Sequence, residues 1–455
     1  MMTATQNGAG AYESSGSHLL NFFSSLGGIR NKGDEEILGL WGAAYGEQKT
    51  LALRALFYAR DIRGGQGIRS AFRVIVRDLA EKETLSKEFV YWIAHYGRWD
   101  DTFELLGTPN EDTLKLVLSI ELGLGNALLC KWMPREKSSK KDLAKKLRNL
   151  LGLSAKDYRK MLSSGTSVVE SQMCSQEWSE IEYKSVPSQA GLRYKGAFAR
   201  NDGERYQEYL DGVLSGGEKI NASTLYPHQL VQKCFEDKYD NTVQAMWDNL
   251  PDYLGGSEES ILPVIDVSGS MAGLPMVVAI GLGMYLAERN KGLYENRFLT
   301  FSESPIWTSI PKGSLDLKVE KVRMADWGMN TNLELVFDMF LDLAQRDPAN
   351  VPSKLIVLSD MEFDQASARH HTSESFFSQM KARYDDCGVA MPQVVFWNLN
   401  GSPHYPVRVH ETGTMLVSGF SPSIMKHILQ GGGELTPFQL MLNVLGSDRY
   451  ATIYL

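Results

Sequence analysis

Near residue 255 the chain changes texture, and that change limits what it can fold into more than any other feature. Before it, apolar residues recur at spacings of three and four. Leu19, Leu20, Phe22 and Phe23 form one cluster; Ile37, Leu38, Leu40 and Trp41 the next; Leu51, Leu53, Leu56 and Phe57 a third. Phe72, Val74, Ile75 and Leu79 follow the glycines at 64, 65 and 67. This is the period of helix faces, and short polar or glycine-bearing turns between such faces predict a helical array. No exact repeat is present, which leaves a degenerate solenoid open without showing one. After the change, short apolar runs alternate with helix-length segments. ILPVIDVS, RFLTFS, KLIVLSD, QVVFWNLN and GTMLVSGF read as strands, and PMVVAIGLGMYLAERN, NLELVFDMFLDLAQ, SFFSQMKARYDDCG and SPSIMKHILQ as helices. Runs that are apolar throughout suit strands covered on both faces, and the alternation predicts a doubly wound parallel sheet. PDYLGGSEES (251–260) has the composition of an exposed linker. The expectation is therefore multidomain: an all-α domain over 1–255 and an α/β domain over 256–455.

A chain of 455 residues with 43% hydrophobic residues can bury a sizeable core. No apolar stretch approaches the roughly 20 residues that cross a bilayer. The polar start, MMTATQNGAGAYESSG, has neither the basic nor the apolar region of an export signal. Four scattered cysteines (Cys130, Cys174, Cys234, Cys387) form no CxxC pair, which argues against a zinc cluster or a disulfide framework and fits a reducing cytoplasm. The expected state is a monomer with no membrane partner.

Charge is distributed unevenly. The net charge is −8, yet residues 131–160 hold eleven Lys/Arg against three acids, leaving −16 for the remainder. A block of one sign inside an acidic protein points to a local anionic partner; the plainer reading is a solvated helix face.

Chemistry concentrates on the strand ends of the second half. Asp266-Val-Ser268-Gly-Ser270 sits where the first strand stops, and ligand sites in open α/β sheets lie beyond the carboxyl ends of strands. A carboxylate and two hydroxyls are hard oxygen donors suited to Mg²⁺. Thr331, in GMNTN before a helix, and Asp360, at the end of KLIVLSD, add donors from two further loops. That order resembles the metal-ion-dependent adhesion site of von Willebrand factor type A domains, which residues 261–429 resemble as a whole. The resemblance implies that Ser268, Ser270 and Thr331 bind the metal directly and that Asp266 and Asp360 act largely through water. An acidic group or phosphate from a partner would complete the shell. Asp326, Glu362 and Asp364 read as solvated loop charges, and His370 and His371 as an exposed loop pair. No GxSxG, HExxH or Walker A motif is present, so the reading is non-enzymatic.

Several stretches of the first half, FYARDIRGGQGIRSAFR, HYGRWDDTFELL, the basic block, MCSQEWSEIEYKSVPSQAGLRYKGAFARND and INASTLYPHQLV, resemble a family found in tailed phages, giant viruses and plants. That family is distantly similar to the TROVE proteins, the Ro RNA-binding autoantigen among them. The resemblance implies a ring of HEAT-like repeats closed by the type A domain, binding single-stranded RNA ends or small structured RNAs. The RNA contacts expected from the residues are Arg60, Arg63, Arg69 and Arg73 around the Gly64–Gly65 turn; Lys131, Trp132, Arg135, Lys137, Lys140, Lys141, Lys145 and Lys146 in the block; and Arg193, Tyr194, Lys195, Arg200 and His228 beyond it. Positive grooves with aromatic platforms are how single strands are held. The competing expectation is a protein-interaction scaffold or co-chaperone that binds a partner carboxylate at the metal site.

Overall fold

The computed structural model describes residues 2–166, 168–236, 239–301, 305–324, 332–364, 375–402, 404–430 and 435–454. It opens with an antiparallel hairpin of β1 (Met2–Ala4) and β2 (Gly10–Tyr12). Helices follow: α1 (His18–Ser25), α2 (Asp34–Glu47), α3 (Lys49–Arg60), α4 (Ser70–Lys82), α5 (Lys87–Tyr96), α6 (Glu111–Gly123), α7 (Ala127–Trp132), α8 (Lys141–Leu150) and α9 (Ala155–Gly165). Further helices continue to Asp248. Their starts are set locally. Ser17, Ser86, Asn126 and Ser154 accept the backbone N–H of Leu20, Phe89, Leu129 and Asp157, which satisfies first-turn donors. Their faces follow the expected period: α4 buries Phe72, Ile75, Val76 and Leu79, one stripe of a helix.

The second half holds a six-stranded mixed sheet of β3 (Ile261–Asp266), β4 (Arg297–Phe301), β5 (Ile306–Ser309), β6 (Lys354–Ser359), β7 (Gln393–Asn398) and β8 (Thr414–Ser418). The order is β5-β4-β3-β6-β7-β8, and every neighbouring pair is parallel except β4 and β5. β3 and β6 are buried along their whole length, as their unbroken apolar sequences require. The wholly parallel sheet expected from sequence is corrected at one edge. β5 returns antiparallel to β4, and its four residues with an exposed Trp307 give no continuous apolar run. From β3 the chain passes to β4 on one side and later to β6 on the other. The loops after β3 and β6 therefore meet at a topological switch point.

The two halves share one buried core. The N-terminal hairpin lies on the α/β half: Thr5 Oγ1 donates to Phe363 O at 2.7 Å and Tyr12 N to Tyr405 O at 2.8 Å. Next to α1, Gly27 N donates to Ser418 Oγ at 2.9 Å. Gly28 approaches Gly401 so closely that a Cβ would stand 2.0 Å from its Cα, so only glycine fits there. The C-terminal helices Pro437–Leu445 and Asp448–Ala451 return to the helical half, where Arg54 donates to Ala451 O at 2.7 Å. Residues 251–260, expected as an exposed linker, are held down. The Tyr285 hydroxyl accepts from Tyr253 N at 2.9 Å and donates to Pro251 O at 2.6 Å, and Leu254 is buried. No helix among the described residues is long and apolar enough to cross a membrane.

Candidate functional site

Asp266 ends β3 and is fully buried. Its Oδ1 accepts from Ser268 N at 2.9 Å and its Oδ2 from the hydroxyl of Ser359, the last residue of β6, at 2.6 Å. The loop then turns, bringing the Ser268 and Ser270 hydroxyls within 3.0 Å of each other. Ser270 also hydrogen-bonds the carboxyl group of Asp360. Four of the five expected metal-site residues are thus gathered at the switch point; Thr331 lies outside the described residues. Ser359 is a member of this cluster that the sequence reading missed, although it directly precedes Asp360 in KLIVLSD.

The electrostatics are those of an anionic site. Burial, and next the charge of Asp360, push the Asp266 carboxyl up to about 7. Asp360 is raised as well, first by burial, against the lowering hydrogen bond from Ser270. Among the described residues, both carboxyls receive only neutral donors. Hard oxygens with two mutually repelling carboxylates fit a divalent cation such as Mg²⁺, which would relieve the repulsion. The donors are two carboxyls plus hydroxyls; among the described residues no group of three or more His, Cys, Asp or Glu is arranged to hold a metal.

Past Asp360 the backbone is forced. Met361 is buried with φ of 67°, a left-handed conformation that a non-glycine residue adopts at a cost. Glu362 corrects the solvated-charge reading. It is buried, accepts from Gln6 N at 2.7 Å and from His404 Nδ1 at 2.9 Å, and also bonds Ser402. The N-terminal hairpin is thereby tied beside the loops of Asp266 and Asp360. Asp326, His370 and His371 lie outside the described residues.

The expected RNA contacts divide sharply. Arg60 is corrected: it is buried, with Nε 2.8 Å from Asp101 Oδ2. His228 is corrected too, being buried against Phe420 with ring centroids 5.3 Å apart. Arg69 pairs with Asp100, and Arg73 reaches Asp100 at 2.8 Å and Asp101 at 2.6 Å. The acids end the HYGRWDD segment after α5, in the helical turn Trp99–Leu105, so Arg60, Arg69 and Arg73 are largely neutralised from within. Lys131 pairs with Glu170 at 3.1 Å, and Lys195 with Asp240. Tyr194 is half-buried, with Phe198 at 6.4 Å.

Other positions stay available. Arg63, Arg193 and Arg200 are exposed. Arg135 is exposed and donates to Thr166 Oγ1 at 3.0 Å. Lys137, Lys140, Lys141, Lys145 and Lys146 are all exposed at the start of α8, and among the described residues none pairs with a carboxylate. Trp132 is half-buried under the Arg98 guanidinium, 4.0 Å from the ring centroid. Trp132, Lys140 and Arg73 line one cavity of about 140 Å³ together with Phe103, Glu104 and Leu143. Arg98, missed by the sequence reading, stands beside Trp99 in the same HYGRWDD segment.

Models of two domain families match parts of the chain. Residues 116–252 match a domain of unknown function, DUF2828, and residues 260–441 match another, DUF7788. The two matches meet at the pinned segment 251–260. The chain is also similar to an uncharacterized protein of Acanthamoeba polyphaga mimivirus, 29% identical over 504 residues that cover 98% of this chain and 87% of that protein.

Proposed function

We propose that this is a non-enzymatic RNA-binding protein of the TROVE-like kind, whose α/β half is a von Willebrand type A domain carrying Mg²⁺ at the Asp266 and Asp360 loops. The observation that carries the RNA reading is the unpaired lysine face from Lys137 to Lys146 running into the cavity of Trp132, Lys140 and Arg73. A cationic surface beside an aromatic ring is the arrangement that holds single-stranded nucleic acid. A bound Mg²⁺ would offer a coordination position to a partner carboxylate or phosphate. The chain's own groups would orient it: Ser268 and Ser270 present hydroxyls, while Ser359 fixes the Asp266 carboxyl. The scaffold reading draws on the same loops, because two buried carboxyls without a charged partner suit capture of a protein through a metal.

Salt-dependent binding separates the two. Changing Lys137, Lys140, Lys141 and Lys145 together to Glu should weaken single-stranded RNA binding at least about tenfold at moderate salt. The slope of log affinity against log salt should fall by roughly two to three units, at about 0.7 per lost phosphate contact. Filter binding of wild type and variant at several salt concentrations reads both quantities. Equal affinities and equal slopes would remove the RNA reading and leave the scaffold.

A further inference from the structure

Arg30 lies near the buried arginine cluster and makes no ion pair among the described residues. It stands in the short helical turn Ile29–Asn31, between α1 and α2. Its guanidinium donates to Gln66 O at 2.8 Å and lies 4.3 Å over the Phe420 ring, but among the described residues no carboxylate pairs with it. Its Nε is buried without any hydrogen-bond partner. A largely buried cation without a counter-charge is costly.

The surroundings add positive charge. Arg30, Arg69 and Arg73 line an open cavity of about 490 Å³, together with Gly67, Ile68 and Ser70. Ser70 and Arg73 belong to the first turn of α4, a helix of 13 residues with no side-chain cap and no acid in that turn. No acid of its own first turn offsets its N-terminal partial charge. Behind the cavity wall, Arg60, Arg69, Arg73 and Arg98 share Asp100, Asp101 and Glu104. Four guanidinium groups thus share three carboxylates, and Arg30 adds a fifth with no ion pair among the described residues. Beside the lining residue Gly67, though not themselves lining the cavity, are unsatisfied polar atoms. The buried Tyr226 hydroxyl has no partner and would stand 2.6 Å from a Cβ on Gly67, a lining residue. The neighbouring His228 Nδ1 is unpartnered as well.

We propose that this cavity binds a phosphate group, held by Arg30, Arg69 and Arg73 at the N-terminus of α4. Three guanidinium groups and helix-terminal N–H donors match an oxyanion with several charged oxygens. Asp100 and Asp101 fix the orientation of Arg69 and Arg73 from behind, and each arginine keeps donors beyond those its acid occupies. Gly67, at φ of 62°, keeps the floor of the cavity free of a side chain. The site adjoins the Trp132 and Lys140 cavity through Arg73, but it stands without the RNA reading: a free phosphate and a phosphate at a nucleic-acid end present the same chemistry.

Calorimetry on the full chain with inorganic phosphate, and with a short oligoribonucleotide bearing either a 5′-phosphate or a 5′-hydroxyl, tests this. Binding of inorganic phosphate, or at least a tenfold preference for the 5′-phosphorylated oligonucleotide, is expected, with either signal falling at least tenfold in Arg30→Gln and in Arg69→Gln. Free phosphate alone would identify a small-molecule ligand, and the end preference a nucleic-acid one. Arg69 is half-exposed, so the second variant decides if the first does not fold. Recognition of neither probe by the wild type, or unchanged recognition by both folded variants, would overturn the site. The lysine-face experiment reads salt dependence, so the two readings fail separately.

Discussion

Both halves of the molecule bury charge, and they balance it differently. In the helical half, Asp101 is fully buried and accepts from Arg60 Nε at 2.8 Å, Arg73 Nε at 2.6 Å and Arg98 N at 3.0 Å. In the α/β half, Asp266 is equally buried, but its donors are a backbone N–H and a serine hydroxyl, and the charge that perturbs it is Asp360, of the same sign. One carboxylate is neutralised by the chain, whereas the other has no charged donor among the described residues. The titrating groups lean accordingly. His228, beside Arg30, is pushed down to about 3 by burial and then by that positive charge, and Asp266 is pushed up to about 7. Buried charge with internal partners is architecture, and buried charge without them marks a place for a ligand.

The contrast breaks most easily at Asp101. Asp101→Ala should leave Arg60 buried without a partner and lower unfolding free energy by about 3–5 kcal/mol, the cost typical of removing one member of a buried pair. Urea denaturation measures it. A loss under about 1 kcal/mol would mean that Arg60 finds water or another acid, and the internal balance described above would be mistaken.

The next effect belongs to the loops of Asp266 and Asp360. Mg²⁺ at about a hundred times its Kd should stabilise the wild type by about 2.7 kcal/mol through binding to the folded state alone. Asp266→Ala should abolish that increment while leaving the metal-free protein folded. Thermal denaturation with and without Mg²⁺ reads the difference, and an equal increment in both proteins would show that these loops do not hold the ion.

Sequence made the two regions legible to different depths. The helix faces could be read because period is local, and Phe72, Ile75 and Leu79 all turn inward on α4. The loops of Asp266 and Asp360 could be read because β3 and β6 announce themselves as unbroken apolar runs, and a strand's end fixes where its next residue points. Arg60 could not be read. It looked like a free cation beside glycines because Asp101, which neutralises it, is 41 residues away. Glu362 failed for the same reason, its partner Gln6 lying 356 residues distant. β5 was missed because an edge strand of four residues shows neither a continuous apolar run nor enough alternation to count.

His228 gives the comparison a pH axis. Its folded value of about 3 lies below the ordinary 6.5, so on acidification the unfolded chain takes up the proton first. The neutral ring's contribution is full above the unfolded value and is lost as pH falls from about 6.5 toward 3, at about 1.4 kcal/mol per pH unit. His228→Phe should flatten that part of the stability profile. Urea midpoints on the acid side of neutrality test this, and an unchanged slope in the variant would place the acid sensitivity elsewhere.

The smallest effect sharpens the comparison at the protein's surface. Glu136 lies within the basic block and pairs with Arg148 at 2.8 Å and Arg159 at 2.9 Å. It is the block's counterpart of Asp101, an acid that holds two arginines, but its pairs sit near solvent. Arg159 is more than half exposed, so screening reduces what the pairs contribute, and Glu136→Gln should cost only about 0.2–1 kcal/mol. Removing that acid also releases two guanidinium groups onto the lysine face. If the face binds single-stranded RNA, affinity should rise at low salt, and the salt slope should steepen by about 0.7 for each arginine that gains a phosphate. The same substitution would then weaken the fold slightly and strengthen binding, a combination that a purely architectural role for the block does not produce. Filter binding across a salt series, beside urea denaturation of the same preparation, measures both. A stability loss with no change in affinity or slope would assign Arg148 and Arg159 to the fold alone.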